Sequence, residues 1–316
     1  MTTMQAISQD RPGGPEVLNL VHIDRPAPTL GEILVRVHAA GVNPTDWKTR
    51  ARGQFAVGTL PPFVLGYDVS GVVEEVGPGV TIFAPGDEVF GMPRFPHPAG
   101  CYAEFVAAPA RHFAPKPPNI DHITAAALPM AGLTAWQALV DTADLTSSQR
   151  VLIHAAAGGV GHLAVQIAKA RGAHVIGTAT TAKHEILRTL GADELVDYQH
   201  TDFASKLHDI DVVLDTLGGE NTLRSLTTMR RGGTLVSLLP ADPHFPADQA
   251  SALGIRAHRM LVEPDLTGMQ AIAQLVTDQQ LSPIIDTTYP LADARAAHQH
   301  GETNRTLGKI VLTISN

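Results

Sequence analysis

A glycine-rich segment, AAAGGVG at residues 155–161, carries the clearest chemical signature in the sequence. Ala156, Gly158 and Gly161 occupy the three positions of a G-x-G-x-x-G pattern, whose first slot here holds alanine. Gly158 has no Cβ and lets a pyrophosphate approach the backbone, and Gly161 lets a following helix lie close to its strand. The N–H groups and dipole at the start of that helix favour phosphate charge. The spacing therefore indicates dinucleotide binding, although a glycine triplet alone also fits a tight turn.

The elements on either side of this segment are those that such a fingerprint requires. Residues 151–154 form a short apolar run, and residues 174–178 form a second one. Between them, apolar residues recur with helical spacing at Val160, Leu163, Ala164, Ile167 and Ala168. The pattern predicts a strand–turn–helix–strand unit of roughly 30 residues, which is the context that supports a nucleotide fingerprint.

The loop after the second strand indicates which dinucleotide is preferred. Where a free ribose 2′-OH is bound, a carboxylate is expected roughly 20 residues after the glycines. The corresponding residues, 178–183, contain no acid. They offer the hydroxyls of Thr178, Thr180 and Thr181 and the ammonium of Lys183, which suit a 2′-phosphate. NADP(H) is therefore the predicted cofactor, and an ordinary polar loop is the alternative.

The composition restricts the class of protein. The chain has 316 residues, enough for two domains, and a formal net charge of −8 without a basic block, which disfavours nucleic acid and anionic membrane surfaces as partners. The 15 histidines show no metal-binding spacing on a helix. The single cysteine, Cys101, excludes an internal disulfide and a zinc site built from cysteines. Because no long apolar run or N-terminal leader occurs, we expect a soluble, cytoplasmic protein.

The pattern of the chain changes near residue 122. Residues 1 to about 120 show short alternating runs separated by glycine and proline, which predicts a β-rich module. Strand candidates then begin near Val151, Val175, Leu195, Val212, Leu235 and Ile255. Their regular spacing predicts repeated βα units in a doubly wound parallel sheet. Residues 270–279 are predicted to be helical, and an alternating strand at 309–314 is expected to return to the first module.

A series of motifs, taken in order, resembles one family. They are GGPEVL (13–18), AAGVNPTDWK (39–48), LGYDVSGVVEEVGPGV (65–80), GDEVFG (86–91), ALPMAGLTAWQAL (127–139), HAAAGGVG (154–161), LGADELVDY (190–198), DVVLDTLGG (211–219) and GKIVLTI (308–314). The chain resembles the medium-chain dehydrogenase/reductase superfamily, in its zinc-independent quinone oxidoreductase branch. The resemblance covers nearly the whole length of the chain.

The resemblance implies an α/β fold with two domains. A GroES-like β-domain would comprise residues 1–121 and 262–316, and a Rossmann cofactor domain would comprise residues 122–261. The cleft between the domains would hold the nicotinamide and a small-molecule substrate. A homodimer is also implied, through the edge strand near residues 255–261.

The resemblance also allows the metal site of the zinc-dependent relatives to be tested. Their cysteine, histidine and cysteine ligands correspond to Asn43, Tyr67 and Met130 of this chain. None of these is a usual zinc ligand, and the four-cysteine structural loop is absent from the sequence. A metal-free site is therefore expected. The remaining chemistry is hydride transfer to a polarised acceptor, such as a quinone or a C=C conjugated to a carbonyl.

The same slots suggest the substrate pocket. Asn43 and Tyr67 are the expected catalytic residues because both can hydrogen-bond a carbonyl oxygen; their alternatives are a turn residue before a proline and a packed aromatic. The loop after Asn43 is expected to border the cleft with Asp46, Trp47 and Lys48. Phe55 takes the place of a tyrosine that several quinone and enoyl reductases carry. Water or Tyr67 would then have to supply the proton.

The cofactor residues implied by the resemblance follow the path of the dinucleotide. Thr134 would lie near the nicotinamide, and backbone donors to the pyrophosphate would come from Ala157, Gly158, Gly159 and Val160. Tyr198 would lie near the 2′-phosphate, or would be a simple aromatic at a strand end. Leu217 and Leu239 follow two successive strands, so that their backbones would pass the ribose and the nicotinamide.

Together these inferences predict an NADPH-dependent, zinc-free reductase of quinones or α,β-unsaturated carbonyls. Two alternatives remain at the level of sequence. One is an enoyl-thioester reductase of fatty-acid or polyketide assembly. The other is a non-catalytic relative that keeps NADPH binding.

Overall fold

A computed structural model describes residues 2–54 and 59–314 of the chain. Its strands are β1 (Thr3–Gln9), β2 (Asn19–Asp24), β3 (Glu32–Val42), β4 (Phe63–Val64), β5 (Val69–Val76), β6 (Glu88–Gly91), β7 (Phe105–Pro109), β8 (Phe113–Pro115), β9 (Arg150–Ile153), β10 (His174–Thr178), β11 (Glu194–Val196), β12 (Ile210–Asp215), β13 (Met229–Ser237), β14 (Arg256–Arg259), β15 (Ile285–Pro290) and β16 (Lys309–Thr313). Each strand candidate of the second half of the sequence is among them.

The helices are mostly short. They are α1 (Pro44–Arg52), α2 (His122–Ala126), α3 (Pro129–Trp136), α4 (Gly161–Ala170), α5 (His184–Thr189), α6 (Phe203–Lys206), α7 (Glu220–Leu226), α8 (Ala247–Ala252), α9 (Leu266–Thr277) and α10 (Ala294–Glu302). A π-helical segment, Gln137–Thr142, continues α3. No helix within residues 2–54 and 59–314 is both long enough and apolar enough to cross a bilayer.

The chain divides into two compact units, one of residues 1–133, 263–279 and 283–316 and the other of residues 134–262 and 280–282. The expected boundary at residue 122 falls before α2, whereas the observed division falls after residue 133. The reason is packing: Ala126 and Ala127 at the end of α2 are buried against Ala39 and Val311 of the first unit.

The second unit is built on a six-stranded parallel sheet in the order β11-β10-β9-β12-β13-β14. From β9 the chain adds strands first on one side and then on the other, as in a doubly wound sheet. All six residues of β12 are buried, as expected for a strand covered on both faces. The predicted Rossmann-type sheet is therefore confirmed.

The first unit contains a largely antiparallel seven-stranded sheet, β15-β16-β3-β5-β6-β8 with β7 also paired to β3, and a three-stranded sheet, β2-β1-β4. The C-terminal strand β16 pairs antiparallel with β3, with Ile310 opposite Val42. The last strand thus returns to the first unit, as predicted. The pairing brings residues from opposite ends of the chain into contact.

Helix α1 corrects one expectation, because the segment with Asp46, Trp47 and Lys48 was expected to be a loop. Asn43 precedes the helix as its N-cap, and Pro44 is its first residue. The Asp46 side chain accepts the Asn43 N–H at 2.7 Å through Oδ2. A proline at the first helical position and an acid two residues later are helix-start signals. The sequence therefore contained the information for this helix.

Candidate functional site

The glycine turn connects β9 to α4. Within the turn, the Gly158 N–H donates to the Ala155 carbonyl at 2.9 Å, and Ala155 has a φ of +48°. A Cβ on Gly161 would lie 2.3 Å from the Ala155 oxygen, so only glycine fits there. A Cβ on Gly158 would have the same oxygen as its nearest described neighbour, at 3.2 Å. A side chain at Gly158 would thus be in tight contact with the turn itself, and its absence fits the close approach of a phosphate to the backbone.

The turn also lies where the sheet reverses its winding. Strands β9 and β12 are neighbours, and the chain leaves both at their carboxyl ends. The Thr216 hydroxyl, just after β12, donates to the His154 carbonyl at 3.1 Å. Ligands of open α/β sheets bind outside the carboxyl ends of the strands at such a switch point. Of the predicted cofactor residues in the turn, Ala157 and Gly161 are buried, and Gly158, Gly159 and Val160 are partly exposed.

The Thr178 hydroxyl, which was expected at the 2′-phosphate, lies beneath the glycine turn instead. Its side chain is buried, and its hydroxyl accepts the Ala155 N–H at 3.1 Å and lies 3.3 Å from His154 Nδ1. His154 Nε2 lies 2.8 Å from the Ser225 hydroxyl. Because these contacts occupy the Thr178 hydroxyl, it supports the glycine turn and is not available to a 2′-phosphate.

The remaining predicted 2′-phosphate residues are on the surface. Thr180 and Lys183 are partly exposed, and the Thr180 carbonyl accepts the Lys183 N–H at 2.9 Å. Tyr198 is 57% exposed. Thr181 is exposed, but its N–H donates to Asp197 Oδ2 at 2.9 Å, and its hydroxyl donates to the same oxygen. Residues 178–183 contain no acid, but the carboxylate of Asp197 lies next to them in the structure.

The predicted nicotinamide residues lie on three elements. Thr134, in α3, is buried. Leu217 follows β12 with its side chain half exposed, and its N–H donates to Asp215 Oδ1 at 3.0 Å. Leu239 follows β13 and is partly exposed, and its N–H lies 3.4 Å from the Ser237 hydroxyl. Both leucines follow the carboxyl ends of their strands, as expected.

One of the zinc-ligand slots, Asn43, lies in a buried polar cluster in the first unit. Asn43 Nδ2 donates to Asp68 Oδ2 at 2.8 Å, and Lys309 Nζ donates to Asn43 Oδ1 and lies 3.4 Å from Asp68 Oδ2. The Met130 N–H donates to Asp68 Oδ1 at 2.7 Å. Asn43, Asp68 and Lys309 are each at most 3% exposed. We call these three residues the Asn43 cluster.

Asp68 and Lys309 were not among the residues selected from the sequence. Both lie in quoted motifs, Asp68 directly after Tyr67 and Lys309 at the start of β16. A charged residue at the start of a buried strand is a signal that would have identified Lys309, because an isolated buried ammonium is costly. Its partner was not recognisable, since Asn43 and Lys309 are 266 residues apart.

Asp46 lies beside this cluster and is fully buried. Burial raises the pKa of Asp46 to about 7; the bond from the Asn43 N–H opposes the rise, and the nearby Asp68 carboxylate reinforces it. Burial also raises the pKa of Asp68, against the effect of Lys309. Two carboxyl groups and one ammonium thus share a buried site, which favours a bound proton.

Tyr67 is also buried. Its hydroxyl lies 3.4 Å from the Thr49 hydroxyl, and its ring makes an edge contact with Phe95 at 5.1 Å between centroids. Burial raises the pKa of Tyr67 well above its usual range, so its phenol stays protonated. Tyr67 is thus a packed aromatic, as the alternative interpretation of the sequence has it, and it also carries a protonated hydroxyl.

The other predicted pocket residues differ in their surroundings. Trp47 packs on α10, where a Cβ on Gly301 would lie 2.6 Å from its ring. The ring therefore takes part in helix packing, and it is partly exposed. Lys48 is exposed to solvent. Phe55 lies outside the described residues.

The donor set of the three slots does not suit a metal ion. They hold an amide bonded to Asp68 and Lys309, a phenol beside Thr49, and a thioether whose sulfur accepts the Thr45 hydroxyl at 3.2 Å. Zinc prefers thiolate, imidazole or carboxylate. Among the described residues, no group of three histidine, cysteine or acidic side chains has a geometry that could hold a metal.

Comparison with known proteins gives two family models that match parts of the chain. The alcohol dehydrogenase GroES-like domain matches residues 29–118, and a zinc-binding dehydrogenase model matches residues 190–312. Human quinone oxidoreductase is 31% identical over 330 residues, which covers 98% of each chain. Polyketide synthase GfsB of Streptomyces halstedii is 38% identical over 293 residues, which covers 90% of this chain but 5% of that protein.

Solved structures agree with this grouping. The quinone oxidoreductase from Coxiella burnetii superposes with a TM-score of 0.93 and 36% identity, over 99% of this chain and all of that one. This structure and the human relative both match nearly the whole of this chain, so the similarity includes both units. The chain therefore belongs to the medium-chain dehydrogenase/reductase superfamily, in its quinone oxidoreductase-like branch.

Proposed function

We propose that this chain is an NADPH-dependent, zinc-free reductase of quinones or α,β-unsaturated carbonyl compounds. The observation that carries the proposal is the Asn43 cluster, in which the slot of a zinc ligand holds an amide bonded to a buried ammonium and a buried carboxylate. A site with these groups does not suit a metal ion that would act as a Lewis acid in alcohol oxidation. It suits an acceptor that is already polarised.

The glycine turn and its surroundings support the cofactor part of the proposal. Added Cβ atoms on Gly158 and Gly161 would lie 3.2 Å and 2.3 Å from the Ala155 oxygen, and two such glycines fit a turn whose backbone N–H groups approach a pyrophosphate at the start of α4. Thr180, Lys183 and Tyr198 are the proposed residues for the 2′-phosphate. When bound, the cofactor supplies the hydride.

The protein's part in the reaction is orientation and hydrogen bonding. Lys309 donates to Asn43 Oδ1, which polarises the amide and makes its N–H groups better donors. We assign Asn43 the role of holding the acceptor oxygen, where charge develops. The protonated phenol of Tyr67 is the second proposed donor, and water is the alternative proton source.

A second candidate is an enoyl-thioester reductase, which rests on the 38% identity to a segment of a polyketide synthase. Its chemistry is closely related, because an enoyl thioester is an α,β-unsaturated carbonyl compound. The candidates differ in the group attached to the substrate carbonyl, which is a thioester arm in the second candidate and stays on the product. Substrate preference therefore separates them.

The proposal includes a homodimer. Strand β14 is the last strand of the parallel sheet, so one side of it offers backbone groups for pairing. Leu253 and Leu261, on either side of β14, are 50% and 42% exposed. Sedimentation at several concentrations tests this part, and a monomer at all of them would refute it.

An assay of NADPH consumption tests the function. The panel holds a benzoquinone, a simple enone and a crotonyl thioester, each with and without enzyme. Turnover of the quinone or the enone supports the proposal, and a strong preference for the thioester favours the second candidate. Tight NADPH binding without any turnover would favour a non-catalytic relative.

A further inference from the structure

An acidic side chain from a neighbouring strand lies at the segment proposed to bind the 2′-phosphate. Strands β10 and β11 run parallel, with Thr178 opposite Val196. The Ala179 N–H then donates to the Val196 carbonyl at 3.1 Å. Asp197, the residue after Val196, therefore lies beside the chain that follows β10.

The contacts of Asp197 define the position of its charge. Oδ2 accepts the Thr181 N–H at 2.9 Å and the Thr181 hydroxyl, and Oδ1 accepts the Gln199 N–H at 2.9 Å. The bonds from Thr181 and Gln199 lower the pKa of Asp197 to about 2. The carboxylate is thus ionised at neutral pH and is held at one place by three donors.

These contacts have two consequences for a nucleotide at this segment. Thr181 has already committed both of its donors, so it offers none to a phosphate. A carboxylate has about four acceptor sites, and three of those on Asp197 are occupied, which leaves capacity for about one further donor such as a ribose hydroxyl. A 2′-phosphate, in contrast, would bring negative charge close to an ionised carboxylate.

We propose that Asp197 is a cofactor-selectivity residue that disfavours a 2′-phosphate relative to a free 2′-hydroxyl. It acts against Lys183, whose charge favours the phosphate. The inference rests on the proposed binding of a nicotinamide dinucleotide at this segment. It goes beyond that proposal because it assigns cofactor selectivity to a residue that follows a different strand, β11, and that opposes binding of the 2′-phosphate.

Equilibrium binding of NADPH and of NADH to the full chain tests the inference, with cofactor fluorescence as the signal. The variant Asp197→Asn removes the charge and keeps an oxygen that can accept from Thr181. We expect the ratio of the NADH Kd to the NADPH Kd to rise roughly three- to tenfold in this variant. The increase should shrink at high ionic strength, because salt screens charge and leaves shape unchanged.

Asp202→Asn is the matched control. Asp202 also carries an exposed carboxylate on the second unit and accepts the Ala204 N–H at 2.9 Å. The control makes the same change in net charge, so the Kd ratio should stay at the wild-type value. Thermal melting checks that both variants are folded.

The outcomes separate the inference from the function on which it rests. If the wild type binds NADPH but Asp197→Asn leaves the ratio unchanged, or changes it no more than Asp202→Asn does, the inference is wrong and the proposed function stands. If the wild type binds neither cofactor, the proposed function is wrong, and the inference falls with it.

Discussion

The side-chain hydroxyl of Thr178 accepts the backbone N–H of Ala155, at 3.1 Å, beneath the glycine turn. The proton positions of the surrounding network follow from its partners. Ser225 donates its hydroxyl proton to the Asn221 carbonyl at 2.7 Å, so it accepts from His154 Nε2. His154 Nδ1 is then an acceptor for the Thr178 hydroxyl. The network thus holds Ala155, whose φ is +48°, in its unusual conformation.

This relationship predicts that Thr178 affects cofactor binding without touching the cofactor. Thr178→Val keeps the shape but leaves the Ala155 N–H without its acceptor, which costs about 1–3 kcal/mol of unfolding free energy. The Kd for NADPH should also rise in Thr178→Val, because the glycine turn is less well supported. Thr178→Ser keeps the hydroxyl and should behave like the wild type. Urea unfolding and fluorescence titration measure both quantities. Equal NADPH affinity in both variants would contradict the prediction.

Lys183 is expected to contribute to selectivity for the phosphorylated cofactor. Lys183→Glu places a carboxylate against the proposed 2′-phosphate, so it should weaken NADPH binding by about tenfold or more and NADH binding much less. The measurement is the Kd of each cofactor at low ionic strength. Lys206→Glu, which reverses a charge at the end of α6, serves as the control. An equal loss for both cofactors would show that Lys183 does not face the phosphate.

The Asn43 cluster is expected to behave as one unit. Lys309→Met leaves Asp68 buried without its counter-charge, which costs about 3–5 kcal/mol. Adding Asp68→Asn removes the uncompensated charge, so the double variant should recover much of the loss. Urea unfolding of the two single variants and the double variant gives the coupling energy. Losses that simply add would mean that the two residues do not interact.

Asp46 should make stability depend on pH in a known direction. Its pKa is about 7 when folded against 3.8 unfolded, so the folded chain binds the proton more tightly. The resulting stabilisation is complete below about pH 4 and is lost as the pH rises through about 7. Asp46→Asn should therefore be more stable than the wild type at pH 8, by on the order of 1–3 kcal/mol. Unfolding curves from pH 5 to 8 measure the difference; a constant difference would refute the shifted pKa.

Activity should not require a metal ion. The zinc-ligand slots hold an amide, a phenol and a thioether, all with other partners. NADPH-dependent turnover is expected to survive prolonged treatment with a chelator. Elemental analysis of the purified protein is expected to find far less than one zinc per chain. Stoichiometric zinc, or loss of activity that zinc restores, would contradict a metal-free site.

Helix α1 shows how far local signals extend. Asn43, Pro44 and Asp46 form a helix start that can be recognised in the sequence, whereas the family resemblance implied a loop bordering the cleft at this segment. The orientation of Asn43 is a different matter. It depends on Asp68 and Lys309, which are 25 and 266 residues away. No local pattern connects these positions.

The sequence by itself determined the glycine turn, the strands and helix around it, the parallel sheet and the family. These features depend on residue type and spacing over short stretches, where steric freedom and periodic burial act. Only the tertiary structure decided that Thr178 supports the turn from beneath, that Lys309 meets Asn43, and that Asp197 accompanies Thr181. The physical reason is strand pairing. The register of β10 with β11 and of β16 with β3 decides which distant side chains share a site.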